Sequence, residues 1–430
     1  MSAPPGPLAD EAHARRLDAE DPLAELRSEF AIPAAADGTP RIYLTGNSLG
    51  LMPRGARAEV VQVLDDWARH AVDAHFEARH PWYSYHERFR EPLARVVGAR
   101  PDEVVAMNSL TVNLHLMLAS FWRPRPGRTR IVMEAEAFPS DSYALESHVA
   151  HRGLDPAETI VVLRPRSGEA ALRTGDIEGY LADEGDRVAL VLLPGVQYYT
   201  GQRFDLARIT AAAHRAGALA GFDLAHAAGN VPLELHDWGV DFAVWCSYKY
   251  LNAGPGAVAG AFVHQRHGGD PAVPRLAGWW GNDPDTRFRM HLNDRFVPQR
   301  GADGWQLSNP SILAMAPLAA SLALFDRATM PALRRKALLL TGYLESLVRA
   351  AAGETITVLT PADPEARGCQ LSLHVPSGSR AMFDALTAAG VVADYRPPDV
   401  IRMAPVPLYN GFHELWRVGA LLRRVLGGGA

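Results

Sequence analysis

GALAGFDLAHAAGNV (217–231) and VDFAVWCSYKYLNAGPG (240–256) are successive apolar runs, and each delivers one residue that apolar surroundings tolerate only with a partner: Asp223 in the first, Lys249 in the second. Runs this short, apolar without alternation and bounded by turn residues, read as buried strands of a parallel sheet. Open α/β sheets place their chemistry just beyond the strand ends. An acid and an amine at neighbouring exits suit an aldehyde cofactor: the amine holds it as a Schiff base, and the acid keeps its pyridine nitrogen protonated. The pair points to pyridoxal 5'-phosphate (PLP).

The same pattern recurs to either side. TRIVMEAEAF (129–138), RVALVLLPGV (187–196) and GAVAGAFVH (256–264) are further short apolar runs, and segments such as FDLARITAAAHRAG (204–217) separate several of them with helical spacing and a closing glycine. Upstream, GARAEVVQVLDDWARH (55–70) reads as an amphipathic helix, and WYSYHERFREPLARVVG (82–98) as a second one closing at Gly98. The alternation predicts an α/β fold with a mostly parallel central sheet flanked by helices. A long helix from about Ser311 to Phe325 leads into a smaller α+β domain built from RGCQLSLHV, SRAMFDALTAAG, IRMAPVPLY and a final helix. The expected division is an N-terminal arm (1–54) packed on the small domain or on a partner subunit, a large cofactor-binding domain (55–310), and a linking helix with the small domain (311–430).

A chain of 430 residues, 48% hydrophobic and 21% charged, buries a sizeable core. Its net charge of −5 gives no basic footprint, which argues against a nucleic-acid partner. No run is long and apolar enough for a membrane span, and the acidic N-terminal stretch lacks the apolar centre of a signal peptide. The two cysteines, Cys246 and Cys369, provide neither a disulfide framework nor a zinc site, and a reducing, cytoplasmic setting fits. Asp223 with His226 lacks an evident third ligand, and His70, His75, His80 and His86 do not share one helical face, so no metal is expected.

A phosphate needs a cradle, and neither a Walker loop nor a GxGxxG fingerprint is present. MNSLTVNLHLMLASFW (107–122) offers one instead: Asn108 and Ser109 are N-cap residue types, and Leu110 and Thr111 open a helix whose free N–H groups suit a dianion. Phe138 in EAFPSD is placed to stack on a cofactor ring, while Asp141 serves equally well as a helix cap. Arg402 has the fork geometry for an α-carboxylate, although a surface ion pair explains it as readily. Trp279, Ser308 and Asn309 fall in GWWGNDPDTRF and QLSNPS, which read as site-lining loops.

Together TGNSLGL (45–51), LTVNLHLML, EAFPSD, YYTGQ, GFDLAHAAGNV, LHDWGVDFAVWCSYKYLNAGPG, RGCQLSL and RMAPVPLYN resemble the kynureninase family of fold-type I PLP enzymes, from about residue 40 to the C-terminus. The resemblance implies hydrolysis of L-kynurenine, or its 3-hydroxy form, to anthranilate or 3-hydroxyanthranilate and L-alanine. It makes Lys249 the Schiff-base lysine, Asp223 the pyridinium partner, His226 a cofactor neighbour and Tyr248 a phosphate contact with a catalytic role. It marks Leu110, Thr111, Phe138, Pro139, Ser140 and Asp141 as cofactor-binding, with Phe138 over the ring. Trp279 and Asn309 correspond to cofactor contacts from the second subunit of a homodimer with shared active sites. Arg402 corresponds to the substrate-carboxylate arginine, and His75, Ser308 and Asn309 to positions near the substrate ring. A place in tryptophan catabolism or NAD supply follows from the same resemblance.

Two positions depart from the family pattern. Pro194 stands where a hydroxyl residue can precede GVxxYTG, removing one hydrogen bond to the cofactor, and Asn282 in WWGN replaces a histidine. Rival readings are another fold-type I enzyme, a desulfurase or an aminotransferase, and a non-catalytic PLP-binding protein. A desulfurase needs a mobile nucleophilic cysteine, and both cysteines here lie in apolar runs.

Overall fold

The apolar runs assemble into one sheet in a computed structural model, which describes residues 10–292 and 295–427. After a two-residue strand, β1 (Ile42–Tyr43), the chain forms β2 (Val104–Ala106), β3 (Arg130–Glu134), β4 (Ile160–Leu163), β5 (Val188–Pro194), β6 (Leu219–Asp223), β7 (Phe242–Trp245) and β8 (Gly260–Val263). The last seven lie in the order β2-β8-β7-β6-β5-β3-β4. Strands β3 to β7 are parallel, and β8 runs against both of its neighbours. Successive residues feed opposite cores: Val132, Val191, Phe222 and Ala243 pack on one face, Ile131, Leu190, Leu192 and Val244 on the other. Burial on both faces is why the sequence shows continuous runs rather than alternation.

The expected mostly parallel sheet is present, with two strands that the runs did not announce. β2 and β4 are the sheet's two edges, three and four residues long, and an edge needs only one ladder. The strands also stop before their apolar runs do. β3 ends at Glu134, with Glu136 in the left-handed region at φ 56°. β7 ends at Trp245, and the chain then folds into a tight turn in which Asn252 N–H reaches the Lys249 carbonyl at 3.0 Å.

From β3 the chain moves outward to β4 and then returns past β3 to β5. The loops leaving β3 and β5 therefore diverge, opening a crevice at the carboxyl ends of the strands. Glu134, Pro194 and Asp223 end β3, β5 and β6 at that crevice.

The helix expected at Ser311–Phe325 spans Ile312–Ala328, and a longer one, Met330–Ala352, follows it. Thr329, at φ 63°, and Pro331 break the two apart. Beyond them lie β9 (Thr357–Val358), β10 (Leu371–His374), β11 (Val391–Val392), β12 (Asp394–Arg396) and β13 (Val400–Met403), then the helix Phe412–Leu426. β12-β13-β10-β9 form an antiparallel sheet, while β11 pairs in parallel with β1. The N-terminal segment is divided between two cores: Ala14, Ile42 and Leu44 pack with the small sheet, Leu26, Phe30 and Leu51 with the large one. Asp18 accepts the Phe412 and His413 N–H groups at 2.6 and 3.0 Å, capping the last helix. The first nine residues of the expected arm lie outside the described residues.

Candidate cofactor site

The crevice is a cleft with about 520 Å³ of empty space, in the range of small-molecule sites. Lys249 enters it from the turn after β7, with Nζ 3.0 Å from His226 Nε2 and 5.6 Å from the centre of the Phe138 ring. Burial, then the positive charge of Lys249, holds the His226 imidazole far below its ordinary pKa, so it is neutral. Its Nδ1 is buried with no partner among the described residues. The backbone under Lys249 is fixed from the N-terminal segment: Gly50 N–H donates to the Tyr248 carbonyl at 2.8 Å, and a Cβ at Gly50 would lie 2.3 Å from the Lys249 carbonyl oxygen.

Asp223 is buried and accepts the Ala225 N–H at 2.6 Å. Asp141, in the first turn of the helix Pro139–His151, hydrogen-bonds it through its own carboxyl. Burial pushes both pKa values up, Asp141 the further, so Asp141 holds the proton and donates to Asp223. Asp141 therefore does not act as the helix cap that its sequence also allowed. Glu134 adds a third buried carboxyl, pushed up to about 8 by burial and then by Asp223. Among the described residues no lysine or arginine hydrogen-bonds Asp223.

The helix Leu110–Phe121 begins at the cleft, and its N-cap Ser109 makes no side-chain capping bond. Leu110 and Thr111 line the cleft, and Thr111 Oγ1 lies 3.1 Å from Ser140 Oγ. Tyr248 lines it too, its phenol held protonated by burial. These residues fit PLP: an amine, a buried acid able to face a cationic nitrogen, an uncapped helix terminus for a dianion, and Phe138 at the mouth.

Of the positions expected to form the site, Lys249, Tyr248, Asp223, His226, Leu110, Thr111, Phe138, Ser140 and Asp141 line this cleft, as does Pro194. Pro139 is the first residue of the Asp141 helix and does not line the cleft. Arg402 stands behind it, buried on β13, donating to the Tyr198 carbonyl and paired with Asp394. His75, Trp279, Ser308 and Asn309 do not line the cleft of their own chain. They belong to another surface: Phe76, beside His75, packs on Phe288 at 6.0 Å, Phe288 on Trp279 at 6.3 Å, and the Trp280 N–H donates to the Leu307 carbonyl at 3.2 Å, next to Ser308. Asn282 Oδ1 accepts the Val297 N–H within that surface.

Glu134 and Tyr198 line the cleft without having been expected there. Glu134 ends β3 as Asp223 ends β6, but it stands inside its apolar run, so the sequence marks it only weakly. A stronger signal was a count: the sequence has only two lysines, Lys249 and Lys336. Lys336 is committed to Asp21 at 2.6 Å, buried.

Two family descriptions match the chain: aminotransferase class-V over residues 42–275 and the kynureninase C-terminal domain over 333–422. Kynureninase from Xanthomonas oryzae pv. oryzae is 56% identical over 411 residues, covering 95% of this chain and 96% of that one. The chain belongs to the kynureninase family. Kynureninase from Stenotrophomonas maltophilia is 55% identical over 411 residues, covering 95% of this chain and 96% of that one. In fold, the chain is similar to an Escherichia coli cysteine desulfurase, at TM-score 0.76 and 18% identity over 95% of this chain and 99% of that one. It is also similar to the lyase C-DES, solved as a mutant with glycine covalently linked to its PLP cofactor, at TM-score 0.74 and 18% identity over 89% and 96%. At such identities these two likenesses speak for the fold-type I architecture, not for a shared substrate.

Proposed function

We propose that this kynureninase-family chain cleaves the Cβ–Cγ bond of L-kynurenine or 3-hydroxy-L-kynurenine with water, releasing anthranilate or 3-hydroxyanthranilate and L-alanine. One observation carries the reading: the Lys249 amine on neutral His226 and the buried Asp223–Asp141 pair lie in one cleft. Bound PLP supplies an electron sink for the carbanion chemistry. Lys249 holds the cofactor at rest and, once released, takes and returns the proton at the substrate Cα. Asp223 stays ionised beside the pyridinium while Asp141 gives it a hydrogen bond. The Leu110 and Thr111 N–H groups, with Ser140 and Tyr248, hold the phosphate, and Phe138 covers the ring. The protonated Tyr248 phenol donates or relays a proton in the half of the reaction that breaks the carbon–carbon bond. Arg402 grips the α-carboxylate.

His75, Ser308, Trp279 and Asn309 reach the cleft of a second copy in this reading, making a homodimer with shared sites. Their surface supports it, for Phe76 and Phe288, which pack on each other, are 61% and 53% exposed, and contiguous exposed apolar groups mark association surfaces. The division at 54/55 and 310/311 into arm, large domain and small domain belongs to the same proposal. Among the described residues no single helix is long and apolar enough to cross a membrane. A cytoplasmic setting and a role in tryptophan breakdown or NAD supply complete the reading.

The desulfurase alternative draws no support from the thiols: Cys246 and Cys369 are both buried, and burial pushes Cys369 up to about 12. Following anthranilate and 3-hydroxyanthranilate release in parallel from the two substrates, with alanine measured alongside, tests the function. Equimolar aromatic amine and alanine is expected. A protein that binds PLP and turns over neither substrate overturns it in favour of the carrier reading.

A further inference from the structure

We propose that Asp394 is the positioning residue of the substrate-carboxylate site, holding Arg402 and Arg396 as a pair. This rests on the reading of Arg402 as the carboxylate grip. Asp394 on β12 lies directly opposite Arg402 on β13. Its Oδ2 accepts from Arg402 Nη2 and, at 3.1 Å, from Arg396 Nη2. The other arm of the Arg402 fork donates to the carbonyl of Tyr198, whose ring lines the cleft. The guanidinium carbons of Arg402 and Arg396 stand 5.9 and 6.0 Å from the centre of that ring.

Two features make this more than a structural ion pair. Two guanidinium groups share one carboxylate, so the cluster carries one uncompensated positive charge, the complement of an α-carboxylate. Both Nε–H groups are also buried with no acceptor among the described residues, at a cost that an arriving anion can relieve. The Arg402 side chain is only 1% exposed, and without Asp394 it would face the like charge of Arg396 in a poorly screened setting. Asp394 thus fixes the rotamer of Arg402 before substrate arrives, and the ordering is not charged against binding.

The test is steady-state kinetics of holoenzyme Asp394→Asn, Asp394→Glu and Arg402→Gln with L-kynurenine, with the bound-PLP spectrum and thermal midpoint recorded for each. For Asp394→Asn, KM should rise about tenfold or more while kcat stays within about threefold, the size expected for a lost charged hydrogen bond. Asp394→Glu, which keeps the carboxylate, should recover most of that loss, and it serves as the reporting variant if Asp394→Asn does not fold. Were Arg402→Gln to raise KM while Asp394→Asn left it unchanged, the positioning role would be overturned and the carboxylate reading would survive. A KM that falls in Asp394→Asn also overturns it, by making Asp394 a competitor for Arg402. An Arg402→Gln enzyme with unaltered KM removes the carboxylate reading itself, and this role with it.

Discussion

The Lys249 amine and the His226 imidazole lie 3.0 Å apart, and burial keeps that imidazole neutral. A neutral partner can accept from the lysine without competing for its charge, which leaves the amine directed into the cleft that Asp223 closes from the neighbouring strand.

Lys249→Ala should abolish the visible absorbance of lysine-bound PLP and lower turnover by more than the about 10²- to 10⁴-fold of a single acid–base group, because it removes both the covalent anchor and the base. Absorbance spectra and a kynurenine assay on the purified variant check this. A yellow, active variant contradicts the assignment.

Asp223→Asn keeps the shape of the buried partner and removes its charge. Activity should fall by about 10²-fold or more with the circular dichroism spectrum unchanged, since the amide cannot keep the ring nitrogen protonated. Near-native turnover in a folded variant would argue that the ring nitrogen is held elsewhere.

Glu134 makes the stability of the cofactor-free protein depend on pH. Its pKa in the fold, about 8, is raised above the unfolded value near 4.5, so between these values the folded state holds a proton that the unfolded chain has lost. The stabilisation is complete below the unfolded pKa and is lost as pH rises through the folded one, by up to about 1.4 kcal/mol per pH unit in the window. Thermal midpoints from pH 5 to 8.5 should show a fall that Glu134→Gln flattens. Parallel profiles for the two proteins would count against a neutral Glu134.

Gly50→Ala places a methyl 2.3 Å from the Lys249 carbonyl, a contact that only backbone movement relieves. A loss of about 1–3 kcal/mol in stability, with weaker PLP binding, is expected. Denaturant unfolding and PLP titration measure both, and an unperturbed variant would mean that the TGNSLGL loop does not brace the lysine.

Arg402→Ala should act mainly on substrate binding. A KM raised by about tenfold or more with PLP affinity unchanged is expected, and an unaltered KM would remove Arg402 from the carboxylate site.

Much of this was readable because burial leaves a chemical trace. Asp223 and Lys249 stood out as charged residues ending apolar runs, and the same runs supplied the parallel strands and the closing turns. Glu134 also ends a strand, but its run continues through Ala135 and Ala137 and hides the strand end. Arg402 was legible by type, but its grip by Asp394 depends on register between β12 and β13, which no spacing encodes. β2 and β4 escaped notice since three- and four-residue edges carry too little periodicity to read. Trp279, Ser308 and Asn309 read as loop positions lining a site and His75 rests on resemblance alone, yet none of the four lines the cleft of its own chain.

In the proposed function one B6 ring spans Lys249 and Asp223. Borohydride reduction of the holoprotein, followed by dialysis, digestion and mass mapping, tests it most directly, and with only two lysines in the chain the outcome is nearly binary. A phosphopyridoxyl group on the peptide carrying Lys249, and on no other, is the predicted result. Its appearance on Lys336, or its absence from a protein that still turns over kynurenine, would mean that Lys249 does not hold the cofactor.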